Sequence, residues 1–237
     1  MHANRAGGNE GVSASVLGNG IYTFPQASQL IRAKPQRIAA WFRGRANGRG
    51  PVFRSTYAGS GRSEVVRTIS FLDLIEALVS SQLRKHGVSL IAARKAHKQL
   101  ADLLKTLHPF AHEGLYTDGK RVFVRIAKES HDERVIDAIC RQDVFPAVLL
   151  PYLKRIEFGK QTRLAERWRI IDGMVVDPAR RSGKPILESC GMSASILARS
   201  YESNLMDVEL VADWYGVAPK DVELAVRFEE QFPRKVA

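Results

Sequence analysis

The sequence predicts a mainly α-helical fold with short β-hairpins: an N-terminal winged helix-turn-helix, then a C-terminal small helical-bundle domain with a helix-turn-helix-like core. Three observations carry that prediction. Two short segments of helical apolar period, joined by a brief turn, begin at Tyr22; two strand-like runs follow them; and three short helical periods close the chain.

Taken in order, the small, polar residues 1–20 lack the apolar core of a secretory signal and read as a disordered lead-in. "TFPQASQLI" then sets Thr23 as an N-cap with Gln26 three positions on, the spacing of a capping box. Pro25 falls in the first turn, and Ala27, Leu30 and Ile31 supply the apolar face. In "RAKPQRIAAWFRG", Pro35 starts a second helix, Ile38, Trp41 and Phe42 recur at helical spacing, and Gly44 stops it. The runs "PVFRSTYA" and "RSEVVRTIS", separated by "GSG", read as the two arms of a wing.

"SFLDLIEALVSSQLRKHG" predicts an amphipathic helix capped by Ser70 and ended by Gly87. A second helix restarts at the cap Ser89 and runs to His108, before Pro109. "LYTDGKRVFVRI" signals a hairpin turning at Asp118-Gly119. Residues 128–170 are mixed, with a helix at "DERVIDAICRQ", another near "FPAVLLPYLKRI", and a strand-like "RWRIIDGMVV". Helices near 193–201, 207–215 and 219–230 complete the C-terminal part. The domain reading is a lead-in at 1–20, a DNA-binding domain at 21–126, a connecting segment at 127–171 and a protein-interaction domain at 172–237.

Charge points to the partners. Net charge is +11, but residues 1–126 hold 19 Lys and Arg against 7 acids, while the remainder holds 17 against 18. The whole excess lies in the first half, which implies that one module meets a polyanion and the other something else. No apolar run approaches the ~20 residues that span a bilayer, and no basic stretch carries an exposed apolar face for a membrane surface. The two cysteines, Cys140 and Cys190, stand fifty positions apart, which excludes a disulfide framework and a cysteine metal cluster. A cytoplasmic location follows as an expectation.

The second helix of the pair is the candidate reader. Ile38 and Trp41 face inward, leaving Gln36, Arg37, Ala40 and Arg43 on the other faces, with Lys34 just before the helix. Arginine and glutamine present the donor and acceptor pairs that match guanine and adenine edges. Arg45 and Arg49 after the helix, with Arg54 and Arg62 flanking the wing, are placed for phosphates. The C-terminal "MDVELVADWYGVAPKDVELAV" has a similar shape, but residues 202–237 carry 8 acids against 4 bases and would be repelled by DNA. That region reads as a protein-contact domain.

Enzymatic signals are weak. "GMSAS" lacks the second glycine of a nucleophile elbow, because Ser195 stands in its place. "SGKP" has no glycine-rich loop before it. His108 and His112 are four apart but interrupted by Pro109, so they read as structural or surface histidines. The expectation is a non-enzyme without metal or cofactor.

The segments "YTFPQASQLIRAKPQRIAAWFRG" and "ISFLDLIEALVSSQLRKHGVSLIAARKAHKQL", with the wing between them, resemble the DNA-binding domain of MerR-like regulators. Residues 172–230, from "DGMVVDPARRSGKP" to "VADWYGVAPKDVELAVRFEE", resemble a small helical domain that recurs in antitoxins. Together they are similar to the large VapB-type antitoxins that pair with PIN-domain ribonuclease toxins. The resemblance implies a cytoplasmic, dimeric antitoxin that represses its own operator and sequesters the toxin. Ala39 and Ala40 stand where the resemblance calls for an arginine and an aromatic, so the phosphate grip passes to Arg37, Arg43 and the wing. By the same resemblance Arg234 or Lys235 would plug the toxin's acidic, metal-binding site. The alternative is a stand-alone MerR-like transcriptional regulator with a C-terminal sensing domain.

Overall fold

A computed structural model describes residues 19–44, 50–57, 66–115, 122 and 149–232. The hairpin expected at Asp118-Gly119 and the helix expected at 132–142 lie outside the described residues, as do Arg45, Arg49, Arg62, Arg234 and Lys235.

The fold is mixed α/β, not mainly α with a winged helix-turn-helix and a helical bundle. Among the described residues, the chain holds eight α-helices and a four-stranded antiparallel sheet, and a separate two-stranded sheet lies in the N-terminal half. The N-terminal half holds β1 (Tyr22–Thr23), α1 (Phe24–Ile31), α2 (Pro35–Arg43), β2 (Thr68–Ile69), α3 (Phe71–Lys85) and α4 (Leu90–Leu104). A single 3₁₀ turn, Pro109–Ala111, follows. The C-terminal half holds α5 (Leu150–Leu153), β3 (Ile156–Phe158), β4 (Ala165–Ile171), β5 (Met174–Val176) and β6 (Ile186–Leu187). The helices α6 (Ala194–Ser203), α7 (Val208–Tyr215) and α8 (Pro219–Gln231) pack after the sheet.

The wing does not form as the sequence suggests. Its second arm, β2, pairs antiparallel with β1, joining Tyr22 to Ile69. Residues 51–57 form bends and a turn in place of a strand. The Val52 and Phe53 N–H groups both donate to the Trp41 carbonyl, at 2.7 and 3.1 Å. Phe53 is thereby drawn against α2, and its apolar character reflects core packing, not strand pairing.

The sheet is the larger correction. Its order is β3-β4-β5-β6, with β4 and β5 pairing across residues 171 and 172, where the sequence reading divides its connecting segment from its C-terminal domain. Along β4, Trp168 and Ile170 are buried while Arg167 and Arg169 lie on the opposite face. Those arginines meet Glu188 Oε1, each at 3.0 Å, and Glu157 at 3.6 and 3.8 Å. The hydrogen bond from Arg169 holds the Glu188 carboxyl below its ordinary range. β3 and β6 are only three and two residues long, too short to show a period-two signal.

Helix α3 is central rather than amphipathic, with twelve of its fifteen residues buried. Ser70 and Asp73 form its capping box. Helix α4 starts on the expected cap, Ser89, but ends at Leu104, where Lys105 takes a left-handed conformation. The two halves share one hydrophobic core. Tyr22 Oη donates to the Gly183 carbonyl at 2.9 Å, Ile21 N–H to the Ser182 carbonyl at 3.3 Å, and the Arg32 guanidinium lies 4.6 Å from the centre of the Phe232 ring.

Candidate nucleic-acid interface

Helix α1 begins with the predicted capping box, the Gln26 N–H donating to Thr23 Oγ1 and the Thr23 N–H to Gln26 Oε1. It ends at Arg32, whose φ of 52° reverses the chain, and Lys34 in extended conformation admits Pro35 as the first residue of α2. Ile38, Trp41 and Phe42 fill the inward face of α2. The Phe53 ring holds them from behind, edge-on to Trp41 at 6.5 Å and tilted against Phe42 at 5.5 Å.

A buried polar scaffold fixes that ring. His97 of α4 lies between Phe53 and Phe110, with ring centroids 4.9 and 5.2 Å away. Its Nε2 is 2.9 Å from Glu76 Oε2, while Glu76 Oε1 accepts the Phe110 N–H at 3.1 Å. One turn earlier on α3, Asp73 Oδ2 accepts from the Ser70 N–H, the Thr56 N–H and the Ser55 hydroxyl, at 3.0, 3.1 and 3.1 Å. Burial raises the Asp73 carboxyl above its ordinary range, and the bonds from Ser70 and Thr56 offset part of that rise.

Thr56, His108 and Asp73 stand in the hydroxyl–imidazole–carboxylate order of a hydrolytic triad. Their separations are 3.4 Å from Thr56 Oγ1 to His108 Nε2 and 3.7 Å from His108 Nδ1 to Asp73 Oδ1. Both exceed the reach of an aligned proton relay, roughly 2.6–3.2 Å. The Thr56 hydroxyl is also 3.0 Å from the Ser70 hydroxyl. The group is a staple that fastens residues 55–57 to α3. Asp73→Asn places an amide against donors and should cost about 1–2 kcal/mol, read as a lower urea midpoint; an unchanged midpoint would contradict the staple. His112 is buried, and its Nδ1 accepts the Gly114 N–H at 2.9 Å. Burial, and then Arg163, lowers its pKa.

With that support, α2 presents Gln36 and Arg37 to solvent, with Lys34 exposed at its start and Arg54 exposed just past Phe53. Arg43 is exposed but engaged: its Nε donates to the Val66 carbonyl at 2.6 Å and its guanidinium stacks 4.7 Å from the Phe24 ring centre. It therefore ties α2 and α1 to the segment preceding β2 as much as it faces outward.

The sequence reading missed a second basic face. A shallow groove of about 270 Å³ runs between Ala40 of α2, Gly50, and Arg84, Ser89 and Arg94 around the N-terminus of α4. Arg94 Nη2 donates to the Gly50 carbonyl at 2.7 Å, and Arg84 Nη1 to the Val88 carbonyl at 2.9 Å. The signal was present: residues 77–101 contain five Lys and Arg and no acid. Its helical apolar period made it look like scaffold alone.

No family model matches the chain, and no curated protein sequence does. Its fold is similar to that of the X-ray crystal structure of Rv2018 from Mycobacterium tuberculosis, with a TM-score of 0.69 and 24% identity over 86% of this chain and 96% of that one. At that identity the likeness concerns fold alone. Among the described residues, no helix is long and apolar enough to cross a membrane.

Proposed function

We propose that the chain is the antitoxin of a toxin-antitoxin pair, binding operator DNA through α2 and neutralising a PIN-domain ribonuclease through its C-terminal domain, whose residues 202–237 carry 8 acids against 4 bases. The observation that carries this reading is the confinement of the net positive charge to the half that holds α2. There Gln36 and Arg37 are exposed above a buried Ile38–Trp41–Phe42 face. Arg84, Lys85, Arg94 and Lys95 are exposed nearby and extend the same electrostatic footprint. Acting as a dimer, the protein would set two such helices about one DNA turn apart, or a multiple of it, on a palindromic operator.

The DNA half is tested by titrating labelled upstream DNA of the protein's own gene. Arg37→Ala should weaken binding about tenfold or more with the fold unchanged. Affinity should also drop by about three orders of magnitude between roughly 50 and 200 mM salt. Binding that is indifferent to both changes would overturn the α2 assignment. Stoichiometric copurification of a small PIN-domain protein from the native host tests the toxin half.

A stand-alone transcriptional regulator is the second reading. A cleft of about 960 Å³ favours it, lying between Thr56, Ser70 and His108 on one side and Lys160, Arg167 and Asp177 on the other. Purification of the chain with DNA but no protein partner would select it.

A further inference from the structure

The α6–α7 corner carries large apolar side chains in water. Leu205 is 98% exposed, Met206 67% and Trp214 59%, with Leu210 also exposed. Leu210 and Trp214, four apart, share one face of α7, and Leu205 and Met206 stand in the turn just before it. The opposite side of α7 is satisfied, with Val211 and Ala212 buried in the core that also holds Leu197 of α6 and Phe228 of α8.

The backbone works to hold this corner. Leu205 and Met206 have φ values of 54° and 62°, left-handed conformations that glycine adopts freely and that other side chains adopt only at a cost. They are fixed by the Met206 N–H donating to the Tyr201 carbonyl and the Asp207 N–H to the Asn204 carbonyl, both at 3.0 Å. Asp207 then caps α7 by accepting the Leu210 N–H at 2.9 Å. The turn thus spends two strained positions on projecting apolar groups outward, where glycines would complete it more easily.

Charge defines what fits there. Residues 200–219 contain Glu202, Asp207, Glu209 and Asp213 and no Lys or Arg, and all four acids are exposed. A phosphate backbone would be repelled. A second copy meeting this face through a two-fold axis would set the acids against themselves. A different polypeptide, with an apolar hollow rimmed by Lys and Arg, complements both the apolar side chains and the acids among them.

We propose that the exposed apolar patch of Leu205, Met206, Leu210 and Trp214, with the exposed acids Glu202, Asp207, Glu209 and Asp213 interspersed in the same segment, docks a basic protein partner through an apolar hollow. The inference rests on the antitoxin reading for the identity of that partner, the toxin, and moves the main contact away from Arg234 and Lys235. Tryptophan and methionine are enriched at the centres of such interfaces, and tryptophan dominates their energetics.

The test places the photo-crosslinking residue p-benzoylphenylalanine at Met206, at Trp214 or, as a control, at exposed Lys154, each in the full chain within its native host. The captured polypeptide is identified by mass, purified, and titrated against the full chain and its variants. The expected result is one basic polypeptide, different from this chain, crosslinked from 206 and 214 but not from 154. Its affinity should fall about 10- to 100-fold for Trp214→Ala, and with rising salt. Leu205→Gly guards against misfolding: it removes a projecting side chain while suiting the left-handed turn, and should weaken binding with the thermal midpoint kept or raised.

Capture of a second copy of this chain, of an acidic protein, or of nothing would overturn the proposal. So would equal capture from Lys154, or unchanged affinity in both variants. A basic partner with no ribonuclease activity leaves the docking surface standing and overturns the antitoxin reading instead.

Discussion

Trp41→Ala is expected to lower the stability of the protein by about 3–5 kcal/mol and to abolish DNA binding through loss of α2 rather than loss of a contact. Trp41 is 2% exposed and packs edge-on against Phe53. Its carbonyl accepts two N–H groups from the segment that carries that ring. Truncating the indole leaves a cavity under α2, and Phe42 cannot fill it because its own ring is already set against Phe24 and Phe53, at 6.4 and 5.5 Å. Alanine keeps the helix propensity, so the loss belongs to packing. Urea unfolding checks this, with exposed Arg37→Ala as the comparison that leaves the midpoint in place. A Trp41→Ala protein with the parental midpoint would mean that α2 is not anchored by its inward face.

That anchor was legible from sequence, and the reasons mark where legibility stops. Thr23 with Gln26, and Ile38 with Trp41 and Phe42, are local patterns whose physics closes within one or two helical turns. Ser70 and Ser89 cap their helices for the same reason. Of the four-stranded sheet only the strand-like "RWRIIDGMVV" was legible, covering most of β4 and all of β5, because β3 and β6, of three and two residues, are too short to alternate. The wing failed differently: the apolar residues of "PVFRSTYA" carry a strand-like composition, yet Phe53 is spent on Trp41 and Ser55 on Asp73. Neither destination lies within the segment itself.

The candidate site divides along the same line. Exposure of Gln36 and Arg37 follows from helical phase and from the position of the inward face. The engagement of Arg43 depends on Val66, 23 residues away, and on Phe24 of the preceding helix. The basic groove at the start of α4 exists because tertiary packing brings Arg94 to Gly50, 44 residues distant in sequence. Charge counting over residues 77–101 was the only local trace of it.

Gly183→Ala is expected to cost about 3 kcal/mol, because one added methyl group attacks the junction between the two halves in three ways. Gly183 has φ of 78°, where a Cβ alone costs about 1–2 kcal/mol. That Cβ would overlap Tyr22 Oη and stand 2.8 Å from Tyr22 Cζ. Tyr22 is 3% exposed, and moving it breaks the buried bond from its hydroxyl to the Gly183 carbonyl, a further loss of about 1 kcal/mol. Burial pushes the Tyr22 phenol well above its ordinary range, so it remains a donor at any pH at which the protein is handled. Tyr22→Phe alone removes the hydroxyl and should cost about 1–1.5 kcal/mol. Combined with Gly183→Ala it also removes the atom that the new methyl overlaps most, so the double variant should be more stable than the two single losses predict, by about 1 kcal/mol. Calorimetry or urea unfolding of the four proteins measures that coupling. Simple additivity to within roughly 0.3–0.5 kcal/mol would show that Tyr22 and Gly183 do not press on one another, and that the halves are joined through the shared apolar core alone.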